Sequence, residues 1–553
     1  MFGPHRTALG RRSSFSIESL ESRRLLSATL NQPISNVSFA QDSGPETVDL
    51  YALFADSTGA ADLQFTATSS ATSVATTSIL GNTLTLKPTA GRSGFTIIKL
   101  TATDPTGGTA TNVFRVQITA LTARSLDVTL DAKHRSVTFV QTDHASATIS
   151  LSGPGTAVVH FGGDGLKLKG SALQGSHAEM ESVTLSNTTG KSHLTIIGAS
   201  GSGPAMIGNI TINNSLGTLD VHKALLLGDV QATGAILSAN VDSAESGSIT
   251  IGSGSTRLTV GTAVDENFQT GGGVSFLQNT QWLNSDDVPE TFIAAAIHGM
   301  NVRGNFMPDL EVTGTGVKGR ALDRVKIRGA VSGEWLVQGE TGSLILESSI
   351  PSNWQGQFQG IASLTTSGDF SATLTADSVG KFRVHGSLIT STITLTGAGK
   401  TDLGSFTAGA IDAAEINSSG NIGSITTATL FNATIFAGVG NIPAGDSLPA
   451  QPSDFSQTAR IGSIILHPPA RNFGFSDSLI AAAKLGNMSL KTSSSKGSIP
   501  PYGIATESLD SLTFFDKGRG QTIALRKITT AAQLESTLTA RKQTLGDFKL
   551  RIL

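Results

Sequence analysis

From about residue 125 onward, apolar and polar positions follow one short recurring phrase: an apolar residue, Gly, a small or polar residue, then apolar-x-apolar. Ile207-Gly208-Asn209-Ile210-Thr211-Ile212, Val379-Gly380-Lys381-Phe382-Arg383-Val384 and Ile461-Gly462-Ser463-Ile464-Ile465-Leu466 are three of its copies. With the first apolar residue after Gly as marker, Val325, Leu344, Leu364, Phe382, Phe406 and Ile425 are spaced 19, 20, 18, 24 and 19 residues apart. A gap of 39, close to two periods, leads to Ile464, and Met488 and Leu512 follow at 24 and 24. A period near 20 with three-residue apolar-x-apolar strands predicts a β-solenoid, a long right-handed parallel β-helix, over 123–528. One coil cannot bury its inward side chains, so the core exists only where coils stack. At about 21 residues per coil, some 20 coils would stack to on the order of 95 Å. Residues 262–296 and 440–458 break the period with Gln, Asn, Asp and Pro and read as loops leaving the shaft.

Residues 31–122 have a different rhythm. Short alternating runs (Val37-Ser38-Phe39, Leu84-Thr85-Leu86, Phe114-Arg115-Val116-Gln117-Ile118) are separated by turn signals such as Asp42-Ser43-Gly44-Pro45 and Asp104-Pro105-Thr106-Gly107-Gly108. About seven short strands in some 90 residues predict a small antiparallel β-sandwich. On Gly81-Asn82-Thr83-Leu84-Thr85-Leu86-Lys87-Pro88 and Thr101-Ala102-Thr103-Asp104-Pro105 the segment resembles the cadherin-like or immunoglobulin-like modules of bacterial surface proteins. That resemblance implies calcium held by acids at one end of the sandwich, and Asp42, Glu46, Asp56, Asp62 and Asp104 are the acids on offer. The Asp-x-Asn-Asp-Asn linker pattern of true cadherins is absent, and Asp56 and Asp104 are equally explained as turn-opening residues that accept from backbone two positions on.

Two end segments flank these regions. Residues 1–30 carry Arg6, Arg11 and Arg12, but Glu18, Glu21, Arg23 and Arg24 interrupt any secretory apolar core. Leu20-Glu21-Ser22-Arg23-Arg24-Leu25-Leu26 resembles the Leu-Glu-Pro-Arg-x-Leu-Leu sorting element of planctomycete surface proteins, matching at Leu20, Glu21, Arg23, Leu25 and Leu26 with Ser22 in place of Pro. The resemblance implies export to the cell surface. At the other end, 529–553 reads as a cap, with a helix from Thr529 to Lys542 (Leu534 and Leu538 one turn apart) and a strand from Phe548 to Leu553.

Composition narrows the chemistry. Only 15% of residues are charged, against about 25% in ordinary domains. Lys plus Arg at 39 and Asp plus Glu at 42 give a net charge of -3, with no excess positive field to hold nucleic acid. The absence of cysteine excludes disulfides, thiolate metal sites and a Cys nucleophile. No run of 18 apolar residues predicts a membrane span.

Parallel β-helices include polysaccharide hydrolases and lyases, and one constellation bears on that. Asn284-Ser285-Asp286-Asp287, His298-Gly299 and Arg324-Val325-Lys326 resemble the ordered motifs of polygalacturonases, with the first two motifs fused and Ile297 where a Gly precedes His. The structural alternative has Asp286 and Asp287 opening a turn, His298 capping a strand, and Arg324 and Lys326 facing outward beside inward Val325 and Ile327. Gly162-Gly163-Asp164-Gly165 reads as a turn, and His222, His385 and His467 have no acid at ligand spacing. The sequence thus favours a secreted, elongated structural or adhesive protein of the cell surface, without catalytic activity or cofactor and with surface polysaccharide or other surface proteins as partners. A polysaccharide-acting enzyme is the alternative, and calcium-dependent adhesion through the sandwich a lesser one.

Overall fold

The computed structural model describes residues 28–553 except 57–61, 142–143, 200–202, 317–318, 398–400, 441–447, 470–473, 494–501, 517–519 and 546–547. The sorting-element residues Leu20, Glu21, Arg23, Leu25 and Leu26 lie outside the described residues. Among the described residues the fold is all-β: small antiparallel sheets, then a solenoid of about 14 turns, then one α-helix and a strand.

The N-terminal unit stacks two sheets. One has the order Val37–Ala40, Thr109–Thr119, Gly94–Thr103, Gln64–Ser69; the other runs Glu46–Asp49, Thr83–Pro88, Ala75–Leu80. Pairing is antiparallel except between Val37–Ala40 and Thr109–Thr119. Alternation puts Leu84 and Leu86 of one sheet against Ile98, Leu100, Phe114 and Val116 of the other in a common buried core.

In the shaft the repeat markers turn out to be direct ladder partners. Leu194, Leu219, Ala239, Leu258, Leu277, Met300, Val325, Leu344, Leu364, Phe382, Phe406, Ile425, Ile464, Met488 and Leu512 form one vertical column, each in register with the next. All are buried. A second column, Ile210, Val230, Ile249, Phe268, Phe292, Leu310 and Trp335, runs beside it. Through the middle the aromatic rings touch in series: Phe306 to Trp335 at 6.0 Å, Trp335 to Trp354 at 5.7 Å, Trp354 to Phe370 at 6.0 Å, Phe370 to Phe382 at 5.4 Å and Phe382 to Phe406 at 5.0 Å. Edge-on contacts of this kind add to the burial of their area.

Four expectations from the sequence are corrected. Ile425 pairs directly with Ile464, so the 39-residue gap is one coil carrying an insertion and not two coils. Residues 262–296 are mostly shaft: Asn267–Leu283 and Thr291–Val302 are strands in register with their neighbours, and only 284–290 leaves the ladder. The start of the shaft is closed by antiparallel strands, with Ser125–Leu130 on Thr156–Lys169, Ser136–Val140 on Ser146–Ser152, and Thr156–Lys169 on Ala172–Ser186. These strands take chain that the period count assigned to coils, and coils longer than 21 residues, the 39-residue one among them, take more, so about 14 turns replace 20. Gly162-Gly163-Asp164-Gly165 sits within Thr156–Lys169 where the pairing slips register, a bulge instead of a turn.

At the far end Ser508–Asp516 and Gln521–Ile528 make an antiparallel hairpin, the helix Ala531–Ala540 packs Leu534 inward, and Lys549–Ile552 adds a last parallel strand to Gly503–Thr506. Thr530 caps the helix, its hydroxyl accepting from the Gln533 N–H. The unpaired edge of the final coil is thereby covered.

The glycine of the repeat has its own cause. Gly404, Gly423, Gly462 and Gly486 do not adopt positive φ, so no left-handed corner requires them. A Cβ on any of them would fall against the carbonyl oxygen of the glycine one coil below, well inside the 3.0 Å that real Cβ atoms keep. Removing the side chain is what lets successive coils approach there. G423A is expected to lower the unfolding free energy by about 1–3 kcal/mol in urea denaturation, whereas G44A, with open space around it, leaves it unchanged.

Candidate functional site

Two places on the shaft gather chemistry. The first is a lateral groove formed where adjacent coils present outward side chains. Alternation in Thr291–Val302 and Arg320–Ile327 turns Val325 and Ile327 inward and leaves His298, Arg324 and Lys326 outside. His298 lies within its strand, not at the end. Two adjoining depressions of about 330 and 500 Å³ share His298; Phe276, Arg324, Lys326 and Ser343 line one, and Ser275, Thr315 and Arg320 line the other. The His298 Nδ1 lies 3.4 Å from Asp323, and its Nε2 lies 3.4 Å from Arg324. Asp323 is held by Arg320 at 2.7 Å, which, with the His298 and Arg324 charges, keeps its carboxyl below the usual range. Arg257 sits over the Phe276 ring at 5.0 Å, and Lys326 and Arg328 flank Glu347. The described groove-lining side chains include no carboxylate.

The second place is the seam between sandwich and shaft. Strand Thr109–Thr119 lies along the flank of the coils, and Phe95 and Ile97 of the neighbouring strand bury against Leu227. Arg115 reaches the Leu227 carbonyl and pairs with Asp229 at 2.9 Å, while Asn36 donates to the Ser246 carbonyl. Asp286 and Asp287 complete this seam. The Val113 N–H donates to Asp286 at 2.6 Å, the Thr111 N–H donates to Asp287 at 2.7 Å, and the Asp287 N–H donates back to the Thr111 carbonyl at 3.0 Å. The carboxylates that the sequence placed in a polygalacturonase-like series are thus docking acceptors for an outer strand, and they do not line the groove of His298 and Arg324.

Further acids crowd the same seam. Asp265 accepts from the backbone N–H and hydroxyl of Ser285 at 2.6 and 2.5 Å. Burial first, then the charges of Asp265 and Asp286, push the Glu290 carboxyl up to about 9. Burial likewise holds Glu266 well above, and Glu181 and Glu245 above, the ordinary carboxylate value.

The calcium candidates of the sandwich do not assemble. Asp42, which accepts from the Gly91 N–H, follows Val37–Ala40 beside the Thr119 end of the long strand, and Asp104 lies before its Thr109 end. Eleven residues of strand put these ends roughly 30 Å apart. The Asp104 carboxylate is taken by the Thr106 N–H and hydroxyl, the Gly108 N–H and the Ala28 N–H. Glu46 opens its strand exposed, and Asp56 and Asp62 flank residues outside the description. His222 had an acid partner that the sequence reading missed. It lies between Asp220 at 2.9 Å and Asp242 at 3.1 Å. Asp220-x-His222 is a same-face strand pair, and Asp242 sits one coil above, so spacing by one period was the available signal.

No family model matches this chain, and no curated protein does either. The fold and its surface therefore define a β-solenoid protein with a flanking β-sandwich.

Removing both seam acids in D286A/D287A leaves the Thr111 and Val113 amides without acceptors. Their hydrogen-exchange protection is expected to fall about tenfold or more, with the Leu344 and Leu364 amides unchanged. Glu181 gives a pH test. Its raised carboxyl keeps a proton in the fold that the unfolded chain releases near its ordinary value of 4.5. Its contribution is therefore full below that value and lost as pH climbs through the folded pKa. E181Q should flatten this decline in thermal melts taken from pH 4.5 upward.

Proposed function

We propose that the chain is an elongated, non-catalytic structural or adhesive protein of the cell exterior, whose lateral groove holds an acidic polysaccharide. A stacked shaft supports this reading because it presents the same outward positions coil after coil, spaced as a linear polymer needs. The groove carries the argument: Arg320, Arg324 and Lys326 offer positive charge, His298 offers a ring nitrogen, Phe276 offers an apolar face for a sugar ring, and the acids that pair with these cations, Asp323 and Glu347, are not among the described lining residues. Hydrolysis of a glycosidic bond needs two carboxylates flanking the bond. The acids once aligned with that role, Asp286 and Asp287, are bound to Val113 and Thr111. Export is supported by the resemblance of Leu20–Leu26 to a surface-protein sorting element.

The enzyme alternative keeps one specific support, the His298–Asp323 pair beside Arg324, an arrangement suited to proton abstraction from a uronate by a lyase. Binding to polygalacturonate and alginate, measured with and without added salt, tests both. The wild type should bind in a salt-sensitive way without forming unsaturated product, and R324A/K326A should lose about tenfold or more in affinity while its melting temperature stays close to wild type. Absence of binding to any acidic polysaccharide would remove the groove from the proposal, and product formation lost in H298A would establish the lyase.

A further inference from the structure

The seam holds one arrangement that neither docking nor the groove explains. Asp265 ends one coil, Asp286 and Glu290 belong to the 284–290 excursion of the next, and donor oxygens of the three lie within 4.8 Å of one another. Glu290 is 4% exposed, and its Oε2 has no hydrogen-bond partner. The ion pairs formed by described residues include none to Asp265, Asp286 or Glu290, and the nearby Arg115 is committed to Asp229. A buried carboxylate that has an oxygen without a donor and is gathered with two other carboxylates is costly unless a proton or a cation joins it.

We propose that Asp265, Asp286 and Glu290 form a binding site for a hard divalent cation, calcium, at the seam between sandwich and shaft. All the donors are oxygen, which selects against softer metals. A site built from protein carboxylates suits calcium, which takes six to eight oxygen ligands in a flexible geometry, better than magnesium, which demands near-ideal octahedral geometry and keeps several of its waters. Asp265 and Asp286 are already oriented by Ser285, Val288 and Val113, so little side-chain freedom remains to be lost on binding. Because Asp286 also receives the Val113 N–H, an ion there would fasten the excursion, the coil and the sandwich strand together. This site is separate from the acids of the sandwich that the sequence offered for calcium, and it stands or falls independently of glycan binding.

The test uses the full chain after chelator treatment, titrated with calcium by calorimetry and followed by thermal unfolding. One ion per chain is expected, with a melting temperature that rises with calcium and responds at least about tenfold more weakly to magnesium. E290Q is neutral and nearly isosteric, so the variant folds without metal at least as well as the wild type, and it should lose about tenfold or more in calcium affinity together with the calcium-dependent rise. D104N, in the sandwich, should bind as the wild type does. No calcium uptake by the wild type, uptake that E290Q leaves intact, or equal response to magnesium overturns the proposal.

Discussion

Each coil of this protein can bury its inward side chains only against the coil above and the coil below. That single dependence organises the molecule. It makes Leu194 through Leu512 a continuous column and leaves no coil that is stable by itself. It also makes the two terminal coils the weak points, which the chain closes with antiparallel strands at one end and with a hairpin, a helix and a returning strand at the other. The aromatic series from Phe306 to Phe406 occupies the middle of the shaft, where neighbours exist on both sides of every ring.

The same dependence sets the backbone. Where coils approach most closely the side chain has to vanish, so glycine stands above glycine from Gly404 to Gly486. Outward positions are free of this restriction, and on one flank they carry the groove, on another the sandwich. Polar groups hold that second contact: Arg115, Asn36 and the paired acids Asp286 and Asp287 reach for backbone groups of the opposite unit. A largely polar seam is the kind of interface that pH and cations can tune.

The columns were legible in the sequence because an inward position recurs once per coil with the same chemistry. Val325, Leu344, Leu364, Phe382 and Phe406 were identified as markers by spacing alone and are ladder partners in space. The 39-residue gap misled, since an insertion and an extra coil add similar lengths and only the pairing of Ile425 with Ile464 distinguishes them. Residues 262–296 misled for another reason: Gln and Asn occupy outward strand positions there, and Asn279 is buried with its amide donating to the Val260 carbonyl, so polarity alone does not mark a loop. The role of Asp286 and Asp287 was not readable at all, because it depends on a strand more than 170 residues earlier in the chain. The glycine of the repeated phrase is legible too, but its cause lies between coils and not in a local turn.

The most direct test of the account is to delete one whole coil. Leu364 is the ladder partner of Phe382, so removing Leu364–Lys381 sets Phe382 onto Leu344 in the same register. The account predicts a cooperatively unfolding protein with a shaft about 5 Å shorter by small-angle scattering, and predicts that removing half as much, Leu364–Ala372, destroys the fold because inward and outward columns no longer align. Equal tolerance of both deletions, or loss of the fold in the full-coil deletion with the half-coil deletion intact, would contradict it.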